Sequence, residues 1–419
     1  MNCILVASNK IFDIRSDSDA NEDIHELSLL AQTLSFSVLG EQILNLRKIT
    51  PSTYYGKGQI KSIGGKVSAL KCDHVIFNDD ISPSQYKNIQ KLLDKKIKIF
   101  DRTGLILEIF KRNAKTKESK FQVELASLQY MLPRLTGQWT HLERQMGGVG
   151  TRGGPGEKQI EIDRRLIGVR ITKLKKELSN IKKNRKVQSS GRKNVFRASL
   201  VGYTNAGKSS LLNALTAPDT TYVKNKLFAT LDTTTKSVEV LKNKKVLITD
   251  TVGFIKNLPH NLVASFRSTF EEVDSSDLIL TVVDASQNRR NIKDHISTIE
   301  STLNQMKIKI SRNILVFNKI DLLTDSTSIN YLKKKYPESV FISAREHIMI
   351  DRIKEIINSV VSENQSIKIV KVPFEKTSLI NKIYNQFDIL SNIQTKDCTE
   401  LEVSATKEGH KKIQKLLKG

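Results

Sequence analysis

At 419 residues the chain is long enough for about two to four domains. Its 68 Lys and Arg stand against 44 Asp and Glu, a formal net charge of +24. A general bias toward Lys and Ile explains part of that excess; the rest points to a polyanionic partner, nucleic acid, a ribosome or an anionic membrane. Cys3, Cys72 and Cys398 are odd in number and far apart, which excludes a disulfide framework and a zinc ribbon. "MNCILVASNK" has neither a basic start nor an h-region, so no signal peptide is expected. No apolar run approaches the roughly 20 residues of a membrane span, so stable membrane insertion is not expected. A cytoplasmic monomer is the expectation, with peripheral membrane association as the alternative location.

Residues 1–113 alternate apolar runs with helical patterns and are expected to form a small α/β subdomain. "HVIFND" has the composition of a buried strand, and Ser82-Pro83 that of a helix start. "KIKIFD" predicts the next strand, giving β-α-β and a small parallel sheet. Residues 114–196 change pattern. Phe121, Leu125, Leu128, Leu132 and Leu135 step by four and three, and Pro133 ends or kinks that helix. Ile160, Ile167, Ile171, Leu174, Leu178 and Ile181 resume the seam, predicting an antiparallel helical hairpin. Between Glu157 and Arg197 fourteen basic residues face four acidic ones, a net of +10. Residues 197–364 alternate apolar strands with helices, the pattern of a doubly wound, mostly parallel sheet. Residues 365–419 predict a small α+β module.

Two glycine loops compete for phosphate. Gly148, Gly150 and Gly153 spell G-x-G-x-x-G, but no buried strand precedes them and Pro155 and a basic helix follow. That context fails the dinucleotide fingerprint, and the loop is better taken as the tip of the basic hairpin, with Arg144 and Arg152 able to reach RNA phosphate. "YYGKGQIKSIGG" lacks G-K-[ST] and is taken as a turn or RNA-contact loop, with ATP use by this region left open.

"GYTNAGKS" (Gly202, Tyr203, Thr204, Asn205, Ala206, Gly207, Lys208, Ser209) fits G-x-x-x-x-G-K-[ST] between a strand and a helix. Its glycines let backbone N–H groups curl around phosphates at a helix N-terminus. Lys208 is placed for the β- and γ-phosphates and Ser209 for Mg²⁺. "DTVG" (Asp250, Thr251, Val252, Gly253) ends a later strand: Asp250 suits Mg²⁺ through water, and the Gly253 N–H suits the γ-phosphate. "NKID" (Asn318, Lys319, Ile320, Asp321) follows, and a carboxylate at Asp321 matches the paired N1–H and N2–H₂ donors of guanine, which adenine lacks. The backbone of Ser343, Ala344 and Arg345 is placed to meet guanine O6. Four motifs in order on alternating strands predict a P-loop GTPase domain with GTP as substrate and Mg²⁺ as cofactor. Between the first two lies "KLFATLDTTTK", where one of Thr230, Thr233, Thr234 and Thr235 completes the Mg²⁺ shell.

With these motifs in place the chain resembles the HflX GTPases along nearly its whole length. "YYGKGQI", "DRTGLILEIF", "FQVELASLQYMLPRL" and "GGVGTRGGPGEKQIEIDRR" look like that family's N-terminal signature, and "GYTNAGKSSLLNAL" and "LFATLD" like its G-domain variants. The resemblance implies that Phe228, Ala229, Thr230, Leu231 and Asp232 contact nucleotide and that Thr230 is the switch ligand to Mg²⁺. It also implies binding to the large ribosomal subunit and its rRNA, hydrolysis stimulated by the ribosome, and splitting or rescue of stalled ribosomes. Three positions depart from the family pattern: "DTTTK" replaces Asp-Pro-Thr, no glycine lies near Ser119, and Asn113 stands where arginine is common. None is expected to abolish nucleotide binding.

Phe254 follows "DTVG" where many GTPases carry a water-orienting Gln, so slow intrinsic turnover is expected, with Thr230, Gly253 and Lys208 left as the catalytic set. Asn205 is of the type that binds K⁺ in some relatives, the alternative being that it shapes the loop. Other functions weighed are a GTPase of ribosome assembly or RNA modification and a signalling GTPase with protein partners only.

Overall fold

The computed structural model describes the chain apart from residues 12–16, 136–158, 191–194, 217–226, 229, 242–243, 257–266, 309–311, 324, 364–365, 375–377, 385–386, 396–397, 406 and 419. The glycine-rich stretch with Arg144, Arg152 and Pro155, and Ala229 of the "LFATLD" segment, lie outside the described residues. The chain divides into two units. One comprises Met1–Asn184, Lys224–Asp232 and Ile255–Ser268; the other comprises Arg185–Val223, Thr233–Phe254 and Thr269–Gly419.

The first unit is built on a four-stranded sheet of order β2-β1-β3-β4, from β1 (Asn2–Lys10), β2 (Ser37–Leu46), β3 (His74–Phe77) and β4 (Lys98–Asp101). Every pairing in it is parallel. Cys3–Ala7 of the inner strand are fully covered, as a strand packed on both faces must be. The connecting helices are α1 (Asp17–Thr33), α2 (Lys57–Ala69) and α3 (Pro83–Leu92). The last starts as Ser82-Pro83 predicts. Ser82 accepts from the Gln85 N–H at 3.3 Å, the Gln85 side chain accepts from the Ser82 N–H at 3.0 Å, and Pro83 occupies the first turn.

Helix α4 (Arg102–Asn113) follows β4 directly, with Asp101 as its N-cap. Asp101 is buried and also receives Tyr130 Oη at 2.5 Å and Arg134 at 3.0 Å. Burial pushes its carboxyl above the usual range, and Arg134, Tyr130 and the Gly104 N–H only partly offset that. Helix α5 (Lys117–Met131) runs into a short 3₁₀ turn at Leu132–Arg134 that contains Pro133, as its ring requires. Helix α6 (Gln159–Ser190) carries the basic run. Leu125, Leu128, Leu135, Ile167 and Leu174 form one buried cluster, flanked by Phe121, Leu132, Ile171 and Leu178, so the two helices meet along the predicted seam. Arg170 adds a bidentate pair with Glu124 at 2.6 and 2.8 Å; both side chains are about a third exposed, so the pair fixes register more than it adds stability.

The second unit holds a six-stranded sheet of order β10-β9-β8-β5-β7-β6. Its strands are β5 (Arg197–Gly202), β6 (Thr234–Leu241), β7 (Lys244–Asp250), β8 (Leu278–Asp284), β9 (Asn313–Asn318) and β10 (Val340–Phe341). Only β6 with β7 is antiparallel. Helices α7 (Lys208–Thr216) and α11 (Ile350–Glu363) cover one face through Leu211, Leu212, Leu215, Ile353 and Ile357. Helices α9 (Arg289–Gln305) and α10 (Ser326–Lys335) contribute Ile292 and Leu332 to a separate cluster with Val283 and Phe317. A short helix α8 (Arg267–Asp274) precedes β8. A three-stranded antiparallel sheet of order β11-β13-β12 follows, from β11 (Ser366–Pro373), β12 (Asp388–Gln394) and β13 (Cys398–Ala405). Helices α12 (Ser378–Tyr384) and α13 (Lys407–Lys418) supply Ile383 and Ile413 to its core. The α/β fold with a mostly parallel P-loop-type sheet is therefore as the sequence predicts. Among the described residues no helix is long and apolar enough to cross a membrane.

Leu174 is 1% exposed at the centre of the helical seam. Leu174→Ala should cost roughly 2–5 kcal/mol of local stability. Hydrogen exchange of α5 amides should accelerate accordingly, while the β5–β9 amides keep their protection.

Candidate nucleotide site

Strand β5 lies between β7 and β8, so the loop after it opens where the strand order turns in two directions, the place at which open α/β sheets bind ligands. Gly202 closes β5 so tightly that a Cβ would meet the carbonyl of Val282. Gly207 adopts φ +92, and a Cβ there would strike the Asn318 amide. Asn205 is exposed with φ 61, a left-handed conformation Asn tolerates better than most residues, which favours its loop-shaping role.

Lys208 is buried, and its ammonium donates to the carbonyls of Gly202 at 3.1 Å and Tyr203 at 2.9 Å. Burial pulls its pKa down to about 8, against a smaller raising effect of Asp250. Ser209 Oγ donates to Asp250 Oδ2 at 2.5 Å. A hydroxyl beside a buried carboxylate is a hard-oxygen pair of the kind Mg²⁺ takes, so the residues present fit that ion. Thr251 Oγ1 donates to the Leu200 carbonyl at 2.7 Å and Val252 is buried, which fixes the "DTVG" loop to the strand beside it. A Cβ at Gly253 would come within 2.9 Å of Thr204 Cα and 3.0 Å of Lys208 Nζ, so this loop approaches the phosphate loop closely.

The base-reading residues assemble around Asn318. Its amide donates to the Ala206 carbonyl at 2.9 Å and accepts from the Ala344 N–H at 2.9 Å. One side chain thus joins the phosphate loop, "NKID" and the Ser343–Arg345 loop. Ser343 Oγ caps its own loop by accepting from the Glu346 N–H at 3.1 Å, and Arg345 is exposed. The Ala344 N–H is thus already engaged by Asn318. Asp321 sits exposed on the 3₁₀ turn Ile320–Leu322, with its carboxylate open to solvent.

Phe254 follows the "DTVG" loop and is buried. It is 1% exposed and stacks on Phe270 at 5.3 Å, while its backbone exchanges bonds with Gly202 (3.0 Å) and Thr204 (2.7 Å). The position therefore offers no polar group.

The segment Leu227–Asp232 belongs to the first unit and is engaged there. Phe228, at φ 54, is buried, meets the edge of Phe110 at 4.8 Å, and its carbonyl accepts from Asn113 Nδ2 at 2.8 Å. Leu231 is buried and Thr230 half-buried. Thr116 is the N-cap of α5, and Asp232 holds it: the carboxylate receives the Lys115 N–H at 2.8 Å, the Thr116 N–H at 3.3 Å and Thr116 Oγ1 at 2.5 Å. Burial alone would raise that carboxyl, but hydrogen bonds from Thr116, Ser119 and the two amides outweigh it and hold the pKa below the usual range. Asn113 and Ser119, two of the departures noted in the sequence, sit at this joint. In the same unit Arg102 bonds Asn78 at 2.6 Å, pairs with Glu26 and donates to the Lys256 carbonyl at 3.0 Å; the Lys256 ammonium pairs with Asp23 at 3.3 Å. Sequence motifs did not reveal these partners, which lie more than 100 residues apart for Asp232.

The two buried thiols, Cys3 and Cys72, give no rival chemistry. Burial pushes Cys3 up to about 12 and raises Cys72 as well, so both stay protonated and unreactive.

Three family profiles match the chain: "GTP-binding GTPase N-terminal" over residues 21–111, "GTP-binding GTPase Middle Region" over 113–192 and "50S ribosome-binding GTPase" over 197–319. GTPase HflX of Magnetococcus marinus is 46% identical over 302 residues, covering 72% of this chain and 69% of its own. GTPase HflX of Flavobacterium psychrophilum is 40% identical, covering 86% of this chain and 90% of its own. GTPase HflX of Escherichia coli is 37% identical, covering 87% and 84%.

Lys208 sets a pH signature. Between about pH 8 and 10.5 the unfolded chain keeps a proton that the folded chain has released, so this group makes the domain more stable as pH rises through that window. Anionic phosphate beside it favours the charged form. GDP binding at pH 8 should therefore take up about half a proton, falling toward pH 7. Calorimetry in buffers of different ionisation enthalpy measures it, and uptake independent of pH would refute the assignment.

Loop geometry, the oxygen pair at Ser209 and Asp250, and relatives at 37%, 40% and 46% identity agree: the chain belongs to the HflX family of GTPases.

Proposed function

We propose that this GTPase acts on the large ribosomal subunit and splits or rescues stalled ribosomes, with the ribosome completing the hydrolytic site. The observation that carries the reading is Phe254, whose ring is committed to Phe270 and cannot orient water. In this reading Gly202–Ser209 hold the phosphates and Lys208 neutralises charge developing on them. Ser209 and Thr230 ligate Mg²⁺, which supplies Lewis-acid stabilisation of that charge when bound. The Gly253 N–H meets the γ-phosphate, while Asp321 selects guanine and the Ser343–Arg345 loop closes the base pocket. Residues 1–113, 114–196, 197–364 and 365–419 are the functional blocks of this reading.

The partner assignment draws support from two sources. The profile matching residues 197–319 is described as a 50S ribosome-binding GTPase. Arg164, Arg165, Lys173, Lys175, Lys176, Lys182 and Lys183 are all exposed on α6, whose apolar residues are spent on α5. A helix with one apolar seam and so many exposed cations suits an RNA phosphate surface.

Turnover without a partner should fall at about 10⁻⁴ to 10⁻² s⁻¹ and rise by orders of magnitude with large subunits. Equal rates with and without them would sink the proposal. Binding to large subunits should weaken steeply between 50 and 200 mM salt, roughly 10³-fold if α6 contributes six phosphate contacts. Replacing Lys173, Lys175 and Lys176 with Gln should flatten that slope by about three units, and an unchanged slope would indicate protein rather than RNA contacts.

A further inference from the structure

The backbone of the phosphate loop is held at several points. Gly202 and Thr204 exchange bonds with Phe254 at 3.0 and 2.7 Å, and the Ala206 carbonyl is held by Asn318 at 2.9 Å. Tyr203 lies between the first two, and its carbonyl accepts from the Lys208 ammonium at 2.9 Å. Its ring is buried and lies face to face with the imidazole of His295, with centroids 3.8 Å apart and planes 12° apart.

His295 is carried by α9, which packs against β5 and β8. Ile292, Ile299, Thr302 and Leu303 are the buried residues of that helix. Position 295 falls on their stripe, three residues after Ile292 and four before Ile299. An aliphatic side chain would complete such a stripe, yet a planar polar ring stands there, against the phosphate loop. Aromatic pairs ordinarily settle offset or edge-on, with centroids about 4.5–7 Å apart. The closer, cofacial contact makes His295 a flat wall that stops the Tyr203 ring from tilting toward α9. Rotamer and backbone angles of one residue are coupled, so a ring that cannot tilt also restrains the peptide that aims the Tyr203 carbonyl.

We propose that His295 is a positioning residue for GTP hydrolysis: through the Tyr203 ring it fixes the Tyr203 carbonyl, and through that carbonyl the Lys208 ammonium. This rests on reading Lys208 as the group that neutralises charge on the phosphates. His295 itself touches neither substrate nor metal. What it contributes is the aim of a cation, and aim matters more to the rate than to affinity. A displaced ammonium still attracts phosphate, but it meets the charge developing in the transition state less well.

The test is single-turnover GTP hydrolysis by the full chain, titrated with protein so that maximal rate and half-saturation are read separately. Thermal unfolding of each variant controls for folding. His295→Phe keeps a flat ring and should hold the maximal rate within about 3-fold of the unmodified chain. His295→Leu fills the apolar stripe without a flat face. It should lower the maximal rate by about 10-fold or more, while half-saturation moves less than about 3-fold. A histidine that merely fills the core would be replaced as well by leucine as by phenylalanine. In a Tyr203→Leu background the two His295 variants should no longer differ. If His295→Leu does not fold, Tyr203→Leu alone removes the same contact and must show the same loss of rate. Equal rates for His295→Leu and His295→Phe, or a difference between them that survives Tyr203→Leu, overturn the proposal. Lys208→Ala separates the two levels. If it hydrolyses GTP as fast as the unmodified chain, the reading of Lys208 is wrong; if it is inactive while His295→Leu is silent, only the present inference falls.

Discussion

The side-chain amide of Asn318 occupies the point where three loops from three strands meet. Its N–H side is taken by the Ala206 carbonyl and its oxygen by the Ala344 N–H. No other residue type of this size offers both a donor and an acceptor in one plane. The geometry is possible only because Gly207 leaves room for that amide. Once the bridge is made, the phosphate loop and the base-reading loops cannot move independently. The carboxylate of Asp284 repeats the principle one residue along, on Lys319. The site is thus a set of strand ends tied by buried polar side chains, rather than a pocket lined by free ones.

The first unit ties its elements in the same way, with charges at helix starts. Asp101 caps α4 and gathers Tyr130 and Arg134 from the following helix and turn. Asp232 binds Thr116, the N-cap of α5, and so fixes the end of the "LFATLD" segment. Each carboxylate sits where unsatisfied backbone N–H groups and the helix dipole favour negative charge. Each also joins pieces of chain that no local propensity would bring together.

How legible this was in the sequence depends on the range of the interaction. The phosphate loop, "DTVG" and "NKID" are local strings whose glycines and carboxylates have fixed jobs, and their neighbours fold as strand and helix ends. The seam of Leu125, Leu128, Ile167 and Leu174 is a periodicity, and the structure packs it as such. The capping box joins Ser82 and Gln85, only three positions apart, and is equally local. By contrast, the hydrogen bond from Thr116 to Asp232 spans 116 positions. The burial of the Phe254 ring depends on Phe270 and on two backbone bonds to the phosphate loop. Its side chain announced only that it could not hydrogen-bond, and where it would go was a matter of tertiary packing. Asp284 and Ser286 likewise form a plain "DAS" in the sequence, and only the register of β8 on β9 brings them to Lys319.

The chain is rich in lysine and isoleucine, yet Gly202, Gly207 and Gly253 stand where even one added methyl would meet the Val282 carbonyl, the Asn318 amide or Thr204. At these three points the restriction is one of volume and not of chemistry. Substitution that reshapes the charge and hydropathy of the whole surface is free to continue around them. A chain of quite different surface composition could carry the same edge, provided those three positions stay empty beyond the Cα and the side chains of Lys208, Ser209, Asp250 and Asn318 keep their bonds.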